Sequence, residues 1–132
     1  MKHYEVVAAV IRKDGRFLCV QRGKGKYDYI SYKFEFPGGK VELGESKEQA
    51  LVREIKEELD LQIDNLQEMI VIDHCYPDFR LTMTCFLAEC DKSEPTLKEH
   101  LSFQWLPATE LHKLDWAAAD IPAVNKLIET NE

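Results

Sequence analysis

Acidic residues are concentrated in one short segment of this sequence, residues 39–61, which reads GKVELGESKEQALVREIKEELDL. The carboxylates that lie close together there belong to Glu45, Glu54, Glu57, Glu58 and Asp60. Residues three or four apart share one face of a helix, so Glu54 would lie beside both Glu57 and Glu58. Like charges in this arrangement destabilise an isolated helix, and a divalent cation would offset their repulsion. Because Mg²⁺ and Mn²⁺ prefer oxygen ligands, the segment predicts a site for one of these ions.

The neighbouring residues bear on the same prediction. Gly38 and Gly39 adjoin the start of the segment, and a backbone carbonyl there would be a further oxygen ligand. Arg53 directly precedes Glu54, and its guanidinium could hold one carboxylate through a pair of hydrogen bonds. The alternative is an acidic helix face exposed to solvent, which is the usual role of a run of charges. The glycines and the arginine favour the metal site.

A helix is needed to bring these carboxylates together, and its boundaries follow from the sequence. Ser46 and Gln49 are spaced as a capping box, which places the helix at about residues 47–59. Its apolar stripe recurs every four residues and consists of Leu51, Ile55 and Leu59. An amphipathic helix of this kind packs its stripe on the core and leaves its polar residues on another face.

Strand-like runs dominate the rest of the chain. We expect strands at residues 6–11, 17–20, 34–36, 69–72, 81–88 and 103–106. The first is a continuous apolar run, which is typical of a strand buried on both faces. We expect residues 37–39 (Pro-Gly-Gly) to end the third strand, and residues 23–33, with two glycines and three lysines, to form a flexible basic loop.

Two helices are expected near the end of the chain. One covers residues 109–114, and a last helix begins at Asp120 as its cap and runs to about Glu129. Strands, a central helix, more strands and a terminal helix indicate the α/β class, with a mixed β-sheet between helices. The 132 residues suffice for one domain with a substantial core, so residues 1–132 are predicted to form a single domain.

The net charge of −7 is divided unevenly along the chain. Residues 1–40 hold nine Lys or Arg against four Asp or Glu, and the remainder is strongly acidic. The acidic total argues against a nucleic-acid polymer or a membrane surface as partner, because both require a basic face. No apolar run reaches the length of a membrane span. A cytoplasmic protein is expected, with four reduced, buried cysteines at positions 19, 75, 85 and 90.

The acidic segment closely resembles the Nudix box. That motif is a glycine, five residues, Glu, seven residues, Arg-Glu, an aliphatic residue, any residue, Glu-Glu, any residue, Gly and an aliphatic residue. Every fixed position matches over residues 39–61, except that Asp60 stands at the late glycine. That glycine follows the helix end, where left-handed backbone is commonly needed. Asp tolerates this conformation better than most residues, so we expect the chemistry to survive the change.

The resemblance implies a Nudix fold, an α/β/α sandwich, and hydrolysis of a nucleoside triphosphate to the monophosphate and pyrophosphate with Mg²⁺ or Mn²⁺. By the same resemblance, the metal ligands are Glu54, Glu57, Glu58 and the Gly38 carbonyl, with Glu54 the preferred base for the attacking water. Arg53 and Glu45 would orient these carboxylates. Glu99 is either a further ligand or base from a downstream loop, or a surface residue. The phosphate-binding cations would be Arg22 and Lys40.

Residues outside the box resemble the MutT-type triphosphate pyrophosphohydrolases. Residues 35–40 (Glu-Phe-Pro-Gly-Gly-Lys) match the lead-in of that group, and residues 119–122 resemble the start of its last helix. Ala117 stands where enzymes that prefer oxidised guanine carry an asparagine, which argues against 8-oxo-dGTP as the main substrate. Residues 5–10 and 116–122 resemble the CTP pyrophosphohydrolase branch, so pyrimidine triphosphates are favoured. Aromatic residues that could stack on a base or simply fill the core are Tyr76, Phe79 and Trp116.

Alternatives to this function remain open from the sequence. One is an 8-oxo-dGTP diphosphatase with the same chemistry, and another is a Nudix module that senses a nucleotide without hydrolysing it. The expected partner is a small nucleoside triphosphate, and the sequence leaves open whether the protein is a monomer or a dimer.

Overall fold

The computed structural model describes residues 1–91 and 94–131. Its strands are β1 (Lys2–Lys13), β2 (Arg16–Gln21), β3 (Phe34–Glu35), β4 (Gly38–Lys40), β5 (Ile63–Cys75), β6 (Phe79–Cys90) and β7 (Ser102–Leu106). Its α-helices are α1 (Lys47–Leu59) and α2 (Ile121–Thr130), and two 3₁₀ helices cover Ala108–Lys113 and Ala118–Asp120. None of the helices in this part of the chain is long and apolar enough to cross a bilayer.

The strands form one mixed sheet in the order β3-β2-β1-β6-β5, with β4 also paired to β1 and β7 to β2. Strands β1 and β6 are parallel, and Val7 of β1 lies opposite Thr84 of β6. The described pairings of β1 with β2 and of β5 with β6 are antiparallel. The sheet therefore joins hairpins at its two ends through a parallel pair at its centre.

Alternate residues of β1 face two separate apolar layers. Val7 and Ile11 pack in a cluster with the α1 stripe, which includes Leu51. Ala8 and Val10 pack on the opposite side in a cluster that contains residues of α2. This arrangement explains why β1 has a continuous apolar run, since a strand covered on both faces has no solvent side. The predicted mixed sheet between helices is confirmed.

The central helix begins and ends as the sequence predicts. The Ser46 hydroxyl accepts from the Gln49 N–H at 3.0 Å, and the Gln49 amide oxygen accepts from the Ser46 N–H at 2.9 Å. At the other end, Asp60 adopts left-handed backbone, with φ 53° and ψ 40°. The Lys56 ammonium donates to the Asp60 carboxylate at 2.7 Å, which stabilises this cap. The expectation that Asp60 tolerates left-handed backbone at the late glycine position of the motif is thus confirmed.

The structure corrects the prediction that residues 37–39 only end a strand. Gly38 and Gly39 instead belong to β4, in which Gly39 pairs with Val7 of β1. Glycine is required there because a Cβ on Gly38 would clash with the Val7 carbonyl. Glycines usually interrupt a strand, but here the missing side chain of Gly38 lets the backbone of β4 approach that of β1 closely.

Two smaller expectations were also wrong, and a third is met by a different type of helix. Asp120 makes no capping hydrogen bond to α2, and its carboxylate instead accepts from the Phe36 N–H at 3.0 Å. Cys75 is exposed and Cys90 is only partly buried, although all four cysteines are free. The helix expected at residues 109–114 is a 3₁₀ helix over Ala108–Lys113.

Candidate functional site

Helix α1 gathers two of the predicted carboxylates and leaves a third in solvent. Glu54 is only 15% exposed, and Glu58 is half-buried beside it, whereas Glu57 is 59% exposed. Burial raises the pKa of Glu58 to about 9, and a hydrogen bond with Glu54 and the negative charges of Glu99 and Glu35 act in the same direction. The downstream Glu99 therefore lies within electrostatic range of the helix carboxylates.

This crowding fits a divalent cation. The raised pKa of Glu58 reflects its burial and the repulsion from the neighbouring carboxylates. A bound Mg²⁺ or Mn²⁺ would offset that repulsion, and its oxygen preference matches Glu54, Glu58, Glu99 and a backbone carbonyl such as that of Gly38. Across residues 1–91 and 94–131, no three His, Cys, Asp or Glu side chains already form a closed ligand set.

Arg53 holds the carboxylates in place from one side. Its Nε and Nη2 donate to Glu45 at 2.6 and 2.8 Å, and its Nη1 donates to Glu54 at 2.9 Å and to Glu57 at 3.3 Å. The paired hydrogen bonds lower the pKa of Glu45 to about 2. Arg53 Nη2 also donates to the Lys40 carbonyl at 3.2 Å. The predicted pair of hydrogen bonds from Arg53 to one carboxylate is therefore made with Glu45. The hydrogen bond to the Lys40 carbonyl connects α1 to the end of β4.

Strand β4 connects the acidic cluster to a cleft. A Cβ on Gly39 would come within 2.5 Å of the Glu54 carboxylate, so this carboxylate lies directly against the glycine backbone. Gly38, Gly39 and Lys40 also line a cleft of about 340 Å³, a size suited to a small organic ligand. The cluster and the cleft thus share one three-residue wall.

The cleft is apolar and aromatic with a few charged groups. Its rings belong to Tyr4, Tyr27, Phe36, Tyr76 and Phe79, and its charged lining consists of Arg22, Lys26, Lys40, Glu35 and Asp120. The Lys40 ammonium lies 4.2 Å from the centre of the Tyr4 ring. A wall of rings with cations among its lining residues, one of them Lys40 of β4, suits a flat aromatic group attached to an anionic chain.

Most of the predicted binding residues line the cleft, but one does not. Arg22, Lys40 and Ala117 line the cleft, as do Tyr76 and Phe79. Trp116 does not; it is buried, and its Nε1–H donates to the Leu111 carbonyl at 2.7 Å, which is a core role. The basic loop of residues 23–33 supplies Lys26, Tyr27 and Ile30 to the cleft wall.

Two acidic residues at the cleft, Asp120 and Glu35, were not identified as site residues from the sequence. Asp120 is buried, and burial together with the charge of Glu35 raises its pKa well above the usual range. Glu35 accepts from Arg22 Nη1 at 3.2 Å and from His100 Nε2 at 3.2 Å. The available signal was a glutamate between two phenylalanines, because an acidic residue in an apolar strand is seldom buried without a partner.

Comparisons with known proteins agree with this architecture. A family model described as NUDIX domain matches residues 1–127. An Escherichia coli K12 protein named 8-oxo-dGTP diphosphatase is 31% identical over 127 residues, covering 96% of this chain and 98% of its own. An E. coli K12 protein named CTP pyrophosphohydrolase is 35% identical over 134 residues, covering 92% and 89%.

Solved structures give the same result. The solution structure of the E. coli ORF135 protein has a TM-score of 0.80 at 31% identity, covering 98% of this chain and 91% of that one. The crystal structure of a MutT NUDIX hydrolase from Burkholderia pseudomallei has a TM-score of 0.85 at 25% identity, covering 96% and 99%. The mixed sheet, α1 and the glycine strand thus occur in a chain that is similar to these proteins over nearly its full length.

Proposed function

This chain belongs to the NUDIX family of hydrolases, and from that premise we propose that it hydrolyses a (deoxy)nucleoside triphosphate to the monophosphate and pyrophosphate, with a preference for cytosine nucleotides. The observation that carries the proposal is the shared wall of β4, with Glu54 against Gly39 on one side and the aromatic cleft on the other. A nucleotide whose base enters the cleft would place its phosphates beside the carboxylates.

We assign the divalent cation to Glu54, Glu57, Glu58 and the Gly38 carbonyl, with Glu99 as a further ligand. Glu57 would join the set by leaving Arg53, since its exposed side chain is held there by one 3.3 Å contact. When bound, Mg²⁺ or Mn²⁺ neutralises phosphate charge and lowers the pKa of a coordinated water. Glu54 is our candidate to accept the proton of the attacking water, because its side chain is only 15% exposed and lies against β4, which also lines the cleft.

Positively charged residues would orient the phosphates. Arg22 and Lys40 line the cleft near the acidic cluster, and their charge suits phosphate oxygens. Arg53 does not reach substrate in this account. It keeps Glu54 oriented while Glu45 balances its charge, since Glu45 takes two of its hydrogen bonds.

The base preference rests on Asp120. Burial and the charge of Glu35 raise the pKa of this carboxyl well above its usual range, and in its protonated form it offers one donor beside one acceptor. Cytosine presents the complementary pair, an amino donor beside an acceptor ring nitrogen. Ala117, which also lines the cleft, offers no amide to a purine edge. An oxidised guanine offers a similar pair through its N7–H and O6, so 8-oxo-dGTP is the second candidate, as the name of one relative suggests.

A substrate panel tests the proposal. Pyrophosphate release with Mg²⁺ is measured for CTP, dCTP, 5-methyl-dCTP and 8-oxo-dGTP, and AMP release is measured for ADP-ribose. We expect kcat/KM for the best cytosine nucleotide to exceed that for 8-oxo-dGTP by about tenfold or more, the scale at which pocket contacts discriminate. The reverse order would reject the cytosine preference and leave the 8-oxo-dGTP alternative.

A matched pair of variants connects the preference to Asp120. Asp120→Asn retains a donor beside an acceptor and still accepts from the Phe36 N–H, so the preference for the cytosine nucleotide should persist. Asp120→Ala removes both the donor and the acceptor. The ratio of kcat/KM for the cytosine nucleotide to that for 8-oxo-dGTP should then move toward one. An unchanged ratio in the alanine variant would show that Asp120 does not read the base.

A further inference from the structure

His100 is a buried histidine outside the proposed catalytic and binding groups. It lies in the segment before β7, and its side chain is only 6% exposed. Its Nε2 is 3.2 Å from a Glu35 carboxylate oxygen, and a carboxylate can only accept, so Nε2 carries the hydrogen and donates. Within the described part of the chain, Nδ1 is buried and has no hydrogen-bond partner. The polar role of this ring therefore rests on Nε2.

Glu35 is held on both of its oxygens. One accepts from His100 Nε2, and the other accepts from Arg22 Nη1, each at 3.2 Å. Both Glu35 and Arg22 line the cleft, whereas His100 is not among the residues that the structure places on the cleft wall. Hydrogen bonds therefore connect the three side chains in series, from the buried His100 through Glu35 to Arg22 at the cleft.

The backbone around His100 is fixed by other contacts. The Lys98 N–H donates to the Glu58 carbonyl at 3.3 Å, and the Leu101 N–H donates to the Gln21 carbonyl at 2.9 Å. These hydrogen bonds attach the segment to α1 on one side and to β2 on the other. Backbone contacts therefore hold the segment in addition to the hydrogen bond between His100 and Glu35.

We propose that His100 is a positioning residue for nucleotide binding: its Nε2–H orients Glu35, and Glu35 in turn orients Arg22 toward the phosphates. The inference rests on the proposed function, since Arg22 is there assigned to the phosphates. A carboxylate restrained on both oxygens holds an arginine in one orientation, whereas a carboxylate restrained on one side can rotate. His100 acts through Glu35 and does not contact substrate.

Two neutral amide variants test the role of Nε2. A glutamine at position 100 places its amide nitrogen near the position of Nε2, whereas an asparagine places it near Nδ1. We expect His100→Gln to keep KM for dCTP within about threefold of the parent, and His100→Asn and His100→Leu to raise KM by about tenfold with little change in kcat. His112→Gln, at an exposed histidine of the 3₁₀ helix, is the matched control.

A double substitution identifies the route. If His100 acts through Glu35, then His100→Leu should cost nothing further in a Glu35→Ala background. An equal rise in KM in the glutamine and asparagine variants would show that His100 contributes only packing. A full further rise in KM when His100→Leu is added to Glu35→Ala would show that His100 does not act through Glu35. Either result would overturn the proposal.

Affinity for pyrophosphate, measured by calorimetry with Mg²⁺, separates this proposal from the proposed function. The same order is expected, with His100→Gln near the parent and His100→Asn and His100→Leu weaker by about tenfold. A parent protein that binds pyrophosphate but hydrolyses no triphosphate would reject the proposed function, while the order of the variants would still decide the role of His100. A parent that does not bind pyrophosphate would overturn both.

Discussion

Replacing Glu54 with glutamine is expected to lower kcat for triphosphate hydrolysis by about a thousandfold at saturating Mg²⁺. The substitution keeps the shape of the side chain and an oxygen that can accept from Arg53, so the local packing should be retained. It removes the negative charge that the proposal uses both to bind the cation and to accept a proton from water. The measurement is steady-state release of pyrophosphate from dCTP.

The control for this variant is Glu48→Gln in the same helix. Glu48 is exposed in the first turn of α1, so its loss should leave kcat within about twofold of the parent, as for most surface substitutions. Glu54→Gln should not lower the melting temperature of the metal-free protein, because it removes one of the charges that crowd Glu58. A variant that keeps a tenth or more of the parental kcat would contradict the role of Glu54.

The two glycines of β4 should respond differently to alanine. A Cβ on Gly38 would clash with the Val7 carbonyl and come within 2.8 Å of the Ala8 Cα, both backbone atoms of the central strand. This backbone cannot move without disturbing both apolar layers, so we expect Gly38→Ala to reduce the free energy of unfolding by about 3 kcal/mol or more. Urea unfolding followed by circular dichroism gives this value.

Gly39→Ala should instead retain the fold and lose activity. The atoms that the new methyl group would meet are those of the Glu54 carboxylate, and a side chain can move aside. The displaced carboxylate should lower kcat by about a hundredfold, the scale of a misplacement of 1 Å in an active site. Gly23→Ala is the control, because its nearest neighbour is a Leu101 side-chain atom at 3.8 Å. Equal stability losses at positions 38 and 39 would refute this distinction.

Local patterns predicted the elements that depend on local chemistry. The capping box of Ser46 and Gln49 and the stripe of α1 determine a helix from neighbouring residues alone, and Lys47–Leu59 matches the prediction. The left-handed Asp60 was predictable for a similar reason, since many helices end in a residue with this backbone and the motif places a glycine at that position. The two-sided burial of β1 followed from its continuous apolar run.

The remaining features depend on contacts between distant parts of the chain. Strand β4 could not be predicted because Gly38 and Gly39 have low strand propensity, and their pairing exists only where β1 passes close by. Asp120 looked like a helix cap, yet its partner is the Phe36 N–H, 84 positions away. His100 showed no ligand spacing, because its role depends on Glu35, 65 positions away.

In the candidate site, too, the features that depend on neighbouring residues were predictable and those that depend on distant contacts were not. The box predicted that Glu54 and Glu58 share a face of α1 and that Arg53 grips a carboxylate, and the structure has both. The identity of the cation and the role of each carboxylate stay predictions. Which groups face the base could not be derived from spacing, because the cleft is assembled from strands, the 23–33 loop and the residues before α2.

The most direct test of the central claim is the identity of the products. Purified protein is incubated with dCTP and Mg²⁺, and the mixture is resolved by anion-exchange chromatography with parallel assays for phosphate and pyrophosphate. We predict equal amounts of dCMP and pyrophosphate, no product with excess EDTA, and recovery when Mg²⁺ or Mn²⁺ is restored. Formation of dCDP and inorganic phosphate, or hydrolysis that continues in EDTA, would contradict a cation-dependent pyrophosphohydrolase centred on α1.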